Sequence, residues 1–271
     1  MIPQTISEQL MFTTTKLSSS EGSGTGFFFD FLVDGVPIPV VITNKHVVNY
    51  SPDEFMTFEF HTHVNGEPVQ ESVRIKAQTK WHFHNDHDLC FTFLMPIVKL
   101  VKDQLGKDVF VLRLAEDLIW DSVKLLELSA IEDTIMVGYP NGLYDSVNNF
   151  PLFRRGITAS HPALDFNRKG IGAVDMACFP GSSGSPIFIL NEGSYQDKKG
   201  SLHVGQSRMV FLGILFEGPI MTANGKIEIV TIPTAIDKVV KTDLMINLGY
   251  YVKAEELLKF KDLVARVYRG N

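Results

Sequence analysis

Three short segments hold the residue types that nucleophilic acyl chemistry needs. The first is Phe179-Pro180-Gly181-Ser182-Ser183-Gly184-Ser185-Pro186. A nucleophilic serine requires an exposed hydroxyl on a tight turn, with backbone N–H groups aimed at the developing oxyanion. Gly181 gives the backbone freedom to turn its N–H inward, and Gly184 keeps the space behind Ser183 clear. Taken alone, the same run also suits a flexible turn. The second segment is Val40-Val41-Ile42-Thr43-Asn44-Lys45-His46-Val47-Val48. Here a strand ends and delivers His46 to a bend. An imidazole titrates near neutrality, so His46 suits a general base, although a lone histidine is as readily a core or surface residue. The third is Asn85-Asp86-His87-Asp88-Leu89-Cys90-Phe91. An acid directly before an apolar strand can orient a histidine and stabilise its imidazolium. Alone, Asp88 also reads as a strand-start turn residue. Asp86, two residues earlier, would project from the same strand face and is the rival acid; Asp88 is preferred because Leu89-Cys90-Phe91 follows it at once.

The elements that position these groups read mostly as short strands. Phe27 to Val33 and Val36 to Thr43 flank a turn at Asp34-Gly35, and Phe55 to His63 leads to the hairpin signal Asn65-Gly66. Val73 to Ala77 and Leu89 to Met95 continue the pattern. After a fresh start near residue 125, strands are predicted at Leu125 to Leu128, Asp133 to Gly138, Gly156 to Ser160, Val174 to Cys178, Ser185 to Leu190 and Met209 to Phe216. Tyr139-Pro140-Asn141-Gly142 and Ala223-Asn224-Gly225 read as turns. The first twenty residues read as a polar arm, and Asn191 to Ser207 as an exposed loop or extended hairpin. Ala235 to Leu248 reads as partly helical. Lys253 to Tyr268 is an amphipathic helix that packs on the second half. The fold class is therefore all-β, two antiparallel barrels in series with a C-terminal helix.

Composition sets the outer limits. A formal charge of −6 over 271 residues argues against a nucleic-acid partner. Apolar residues are 45% and charged residues 21%, an ordinary globular balance. No apolar run approaches the length that crosses a bilayer. The N-terminus lacks a basic stretch followed by an apolar one, so no signal peptide is expected. With two cysteines, Cys90 and Cys178, the expectation is a cytoplasmic protein with reduced thiols, although their spacing does not rule out a bridge. His61, His63, His82, His84 and His87 cluster in sequence, but no cysteine or acidic set completes a zinc site, and no metal is expected. Gly22 to Gly26 lacks the Gly-Lys-Ser/Thr ending of a phosphate loop, so no nucleotide cofactor is expected.

In order, His46 precedes Asp88 by 42 residues, and Ser183 follows 95 residues later. The chain resembles the chymotrypsin/trypsin-like serine peptidases, and among them intracellular bacterial and HtrA-like members. Gly22-Ser23-Gly24-Thr25-Gly26-Phe27-Phe28 resembles the glycine-rich start of the first barrel. Ile42 to Val48 resembles the histidine motif, Asp88-Leu89 the aspartate motif, and Gly181 to Pro186 the Gly-Asp-Ser-Gly-Gly-Pro motif. Val137-Gly138-Tyr139-Pro140 and Thr231-Ile232-Pro233 are common in such chains too. The resemblance spans about residues 20 to 240. It implies one peptidase domain over 1–270, with six-stranded barrels over about 20–115 and 120–240 and a helix over 250–270.

The resemblance further implies a serine endopeptidase acting on protein or peptide substrates through a His46–Asp88–Ser183 triad. The oxyanion hole would be the backbone of Gly181, Ser182 and Ser183, with the N–H groups of Gly181 and Ser183 as donors. By family spacing, the specificity pocket has Ala177 at its base and Phe216, Glu217 and Gly218 on the opposite wall. That pocket is neutral and partly apolar, unless Glu217 draws in a basic side chain. Ser182 stands where extracellular members carry an aspartate that pairs with a newly cut N-terminus, which implies no such activation here. Two other classes remain open: a peptidase-fold binding module without turnover, and an effector switched on by a partner protein.

Overall fold

The computed structural model describes residues 1–140, 144–227, 238–245 and 247–270. Alternating phenylalanines set its layout. On the strand Ser23–Val33, Phe27, Phe29, Phe31 and Val33 face one core while Phe28 faces another. Successive residues of a strand point to opposite faces, so this strand is a wall between two apolar interiors.

The second half closes as a six-stranded barrel. Its order around the ring is Asp133–Gly138, Leu152–Thr158, Ile171–Asp175, Leu248–Lys253, Arg208–Glu217 and Pro186–Asn191. Inside it lie Met136, Val174, Ile187, Ile189, Val210, Leu212 and Tyr251. The first half is a nine-stranded sheet. Its main path runs Glu67–Gln78, Phe55–Val64, Thr14–Ser18, Ser23–Val33, Val36–Thr43, Cys90–Phe93 and His82–Phe83. Val109–Phe110 pairs with Phe55–Val64, and Leu114–Ala115 runs parallel to Ser23–Val33. Short added strands thus take this half beyond the expected count of six.

A third core joins the halves. Phe27 meets Phe211 edge-on at 5.5 Å, and Phe211 stacks at a tilt on Phe188 at 5.2 Å. The C-terminal segment seals this core from the first half's side: Leu257, Phe260 and Val264 are buried, and Phe260 meets Phe91 at 5.0 Å. The predicted helix over Lys253 to Tyr268 is a 3-10 stretch, Ala254–Phe260, followed by an α-helix, Lys261–Tyr268. No described helix is long and apolar enough to cross a membrane.

Several local readings change. Residues Leu94–Leu105 form an α-helix where an extended run was expected up to Met95. Its β-branched content resembles a strand, but Leu94, Ile97 and Val101 share one buried face at helical spacing. Leu125 ends a short helix, Ser122–Leu125, capped by the Asp121 side chain. The polar arm contains a helix, Ile6–Leu10, and a buried strand, Thr14–Ser18, in which the Thr15 hydroxyl donates to the Glu59 carbonyl of the neighbouring strand. Lys238–Met245 is a strand paired with Ile220–Ile227, not a helix, and the Ala223-Asn224-Gly225 turn lies within that ribbon. The 191–207 segment carries the small ribbon Ser194–Gln196 with Leu202–Val204. Thr231-Ile232-Pro233 and Asn141-Gly142 lie outside the described residues. Both cysteines are free and buried.

His61 sits inside the first half, edge-on to Phe12 at 4.7 Å and 5.1 Å from Phe150. Burial pushes its pKa down to about 4. The folded protein therefore keeps this ring neutral where the unfolded chain, near 6.5, already binds a proton. Unfolded chains then hold more protons between pH 6.5 and 4, and this contribution falls as pH drops through that window. Replacing His61 with Gln should make the loss of stability over that range shallower than in the unmodified protein, as read by urea unfolding at pH 7 and pH 4.5.

Candidate functional site

His46 leaves the strand Val36–Thr43 through Asn44-Lys45 and enters a single 3-10 turn, His46–Val48. The turn closes on left-handed Asn49. The Asn49 N–H donates to the His46 carbonyl at 3.1 Å and the Tyr50 N–H to the Lys45 carbonyl at 2.8 Å. This paired closure is a Schellman motif, which ends a helical turn by satisfying its last carbonyls. Val47 and Val48 are buried and pin the turn to the core, leaving the imidazole one third exposed.

Asp88 faces that turn with both oxygens. Oδ2 lies 2.5 Å from His46 Nδ1, and Oδ1 accepts the His46 backbone N–H at 3.2 Å. The Asp88 carbonyl accepts from Asn44 Nδ2 at 2.6 Å. An ionised carboxylate only accepts, so the proton belongs on Nδ1 and Nε2 is left with its lone pair free. Asp86 stays out of this arrangement. It is exposed, and its side lines a cleft with Lys259 and Arg266. The segment is a bend rather than a strand, so the two-residue period that would have aligned Asp86 with Asp88 does not operate.

Ser183 follows a turn closed by the Ser182 N–H donating to the Phe179 carbonyl at 3.0 Å. Pro180 and Gly181 are its central pair, and Gly181 has φ +85°, the pattern of a type II turn. Gly184 also has φ +85°, and a Cβ there would lie 1.9 Å from the Thr25 carbonyl oxygen. No larger residue fits at that crossing. Ser183 is half-buried, and among the described residues no hydrogen bond joins its hydroxyl to His46. The N–H groups of Gly181 and Ser183 likewise meet no acceptor among the described residues. Ser182 differs from its expected place in the oxyanion hole: the turn uses its N–H, and its buried hydroxyl points into the protein.

Thr25, which the sequence reading missed, ties the serine turn to the first half. Its N–H donates to the Ser183 carbonyl at 2.9 Å. Its Oγ1 accepts from the Tyr139 N–H at 3.0 Å and from Ser185 Oγ at 3.1 Å, and lies 3.3 Å from the Gly181 carbonyl. Its own carbonyl accepts Thr43 Oγ1 at 2.8 Å. The available signal was a small polar residue between glycines in an otherwise phenylalanine-rich strand, since buried polar groups need partners. Gly24 allows the approach: a Cβ there would meet Val47 at 2.6 Å and the Ser183 carbonyl at 3.3 Å.

A cleft of about 210 Å³ opens beside Ser183, lined by Cys178, Phe179, Pro180, Leu215, Phe216, Glu217 and Gly218. Ala177, expected at its base, does not line it. The chain leaves the sheet after Asp175; Met176 and Cys178 turn inward, and Ala177 between them does not. Burial pushes the Cys178 thiol up to about 11, so it adds no charge to this surface. At the rim, Glu217 pairs with Arg168 at 2.7 Å, and the same guanidinium lies 5.4 Å from the Phe216 ring. The clustered histidines scatter: His82 stacks on Phe91, His63 accepts the Gly66 N–H, and His84 and His87 turn toward Glu256.

The family of trypsin-like peptidase domains matches residues 24–194, more than half of the chain. No curated protein sequence matches the chain. Among solved structures, an inactive form of Rv3671c from M. tuberculosis H37Rv, a serine-to-alanine mutant, is 14% identical with a TM-score of 0.41 and covers 94% of this chain and 86% of its own. The scabies mite inactivated protease paralogue S-I1 is 9% identical with a TM-score of 0.46, over 95% of this chain and 97% of its own.

Replacing Thr25 with valine keeps the shape but removes Oγ1. The buried Tyr139 N–H and Ser185 hydroxyl lose their acceptor, at a cost of about 1–3 kcal/mol. Urea unfolding should register that loss, and a change within experimental error would contradict the role given to Thr25.

Proposed function

The chain belongs to the trypsin-like peptidase domain family, and from that premise we propose that it is a serine endopeptidase that cleaves protein substrates through an acyl-enzyme. The observation that carries this reading is the His46–Asp88 pair, in which one carboxylate fixes both the ring and the backbone of the histidine.

In the proposed reaction, Ser183 Oγ attacks the scissile carbonyl carbon while its proton moves to His46 Nε2. Electrons shift onto the carbonyl oxygen, which the N–H groups of Gly181 and Ser183 stabilise. The tetrahedral intermediate collapses, the C–N bond breaks, and the leaving amine takes the proton from Nε2. A water then attacks the acyl group, giving its proton to His46, and Ser183 leaves as the hydroxyl. Asp88 remains a carboxylate throughout, holding the imidazole and stabilising its charged form. The absence of a Ser183–His46 hydrogen bond is compatible with this reading, since such contacts often tighten only when substrate is bound. Free, buried thiols support a reducing, intracellular setting.

The neutral cleft supports an apolar residue at the cleaved position. Its carboxylate, Glu217, is already engaged by Arg168 at an exposed position, where such a pair contributes only about 0–1 kcal/mol. The pairing is weak enough for a mutation to redirect it.

Incubation with a fluorophosphonate should label Ser183, and Ser183→Ala and His46→Ala should abolish the label. Peptide hydrolysis by Ser183→Ala should fall by roughly 10⁴-fold or more. Folded protein that takes no label would favour the partner-activated or binding-module reading. Arg168→Ala should raise kcat/KM for lysine- or arginine-containing substrates relative to leucine-containing ones by about threefold, the scale of a surface ion pair. An unchanged ratio would remove Glu217 from the specificity surface.

A further inference from the structure

Glu256 is almost wholly buried in the C-terminal segment, 4% exposed. A buried carboxylate is costly unless it is paired, and losing a partner is costlier still. Glu256 is paired on several sides. His87 Nε2 lies 3.0 Å from Oε2, His84 Nε2 4.0 Å from the same oxygen, and Lys259 Nζ reaches it from the next turn. Across from them the carboxylate rests on Gly170, where a Cβ would sit 2.8 Å away.

The two histidines belong to the bend that ends in Asp88. His84 Nδ1 accepts the backbone N–H groups of Asp86 and His87, each at 3.1 Å. That nitrogen therefore carries no proton, and Nε2, on the Glu256 side, stands 4.0 Å from the carboxylate, beyond hydrogen-bond reach. The bend is stitched further by the His84 N–H to the Leu89 carbonyl and the Leu89 N–H to the His87 carbonyl, both 2.9 Å. Phe260 packs edge-on to the His84 ring at 5.1 Å. Burial and the neighbouring His87 hold the His84 pKa below its usual value, which keeps both backbone hydrogen bonds intact.

We propose that Glu256 is a positioning residue for the active site: through His87 and His84 it fixes the 84–88 bend, and so sets where Asp88 meets His46. The C-terminal segment thereby takes part in assembling the site without touching the reacting atoms. The proposal rests on the peptidase reading for its effect on rate, but not for its effect on the His46–Asp88 pair.

The test uses the full chain with Glu256→Ala, Glu256→Gln and His87→Ala, and with Arg266→Ala on the same segment as a control. One readout is the far-downfield proton NMR signal of His46 Nδ1–H, and the other is kcat and KM separately, with the rate of fluorophosphonate labelling. Glu256→Ala and His87→Ala should broaden or lose the His46 signal and lower kcat about tenfold or more, with KM within about twofold. Glu256→Gln keeps an oxygen acceptor for the His87 Nε2–H and should recover most of both. Arg266→Ala should match the unmodified protein. Wild-type signal and wild-type kcat in Glu256→Ala and His87→Ala would overturn the proposal, as would losses that follow only the melting temperature. Should Glu256→Ala fail to fold, His87→Ala on the less buried partner decides. Should the unmodified protein take no label, the isolated chain has no peptidase rate to read, and the His46 signal alone still decides whether Glu256 governs the pair.

Discussion

The two halves meet at a hydrogen-bonded seam where the Thr25 N–H donates to the Ser183 carbonyl and the Thr25 hydroxyl answers three more groups from the second barrel. The constraint is geometric before it is energetic. The serine turn is anchored to the strand Ser23–Val33, whose neighbour Val36–Thr43 carries the chain to His46. Gly24, Gly138 and Gly184 clear this crossing, since a Cβ on any of them would lie well inside contact distance of the opposing chain or of Val47. Rigid sheets on both sides then hold side chains from distant parts of the sequence in one register, which is how catalytic groups are usually pre-organised.

Around that seam the electrostatics are arranged by burial. Cys90 and Cys178 sit in apolar cores that keep their thiols protonated, so neither offers a thiolate near the site. Asp88 is less enclosed and is held by donors on two elements, Asn44 and the His46 turn. Charged rim residues, Glu217 and Arg168, are paired with each other rather than aimed into the cleft.

Local chemistry made much of this legible in the sequence. Asp34-Gly35 and Asn65-Gly66 are turns with positive φ at both residues, as their types require. His46, Asp88 and the Gly181–Pro186 turn announced themselves by residue type, and the preference for Asp88 over Asp86 followed from the apolar strand after it. What stayed hidden depends on three dimensions. The helix Leu94–Leu105 follows a strand without a break, and its β-branched residues mask its period. Thr25 is one threonine among many until Ser183 and Tyr139 are brought against it. Glu256 reads as a surface charge on an amphipathic helix, because nothing in its own segment says that two histidines, 172 and 169 residues earlier, will enclose it. Ala177 misled because family spacing assumes that the chain stays in the sheet beyond Asp175.

The core that joins the halves has a bearing on how the protein is made. Phe31, Phe91 and Ile42 from the first half share one core with Leu257, Phe260 and Val264, and Phe91 meets Phe260 directly. A ribosome delivers these after the first-half residues they join. Domains generally fold as units during synthesis, yet here the His46-bearing half stays open along one flank until residues 257–264 have been made. A nascent chain thus carries His46, Asp88 and Ser183 well before the interior that holds them is closed, and the 254–268 segment acts as its closing stitch.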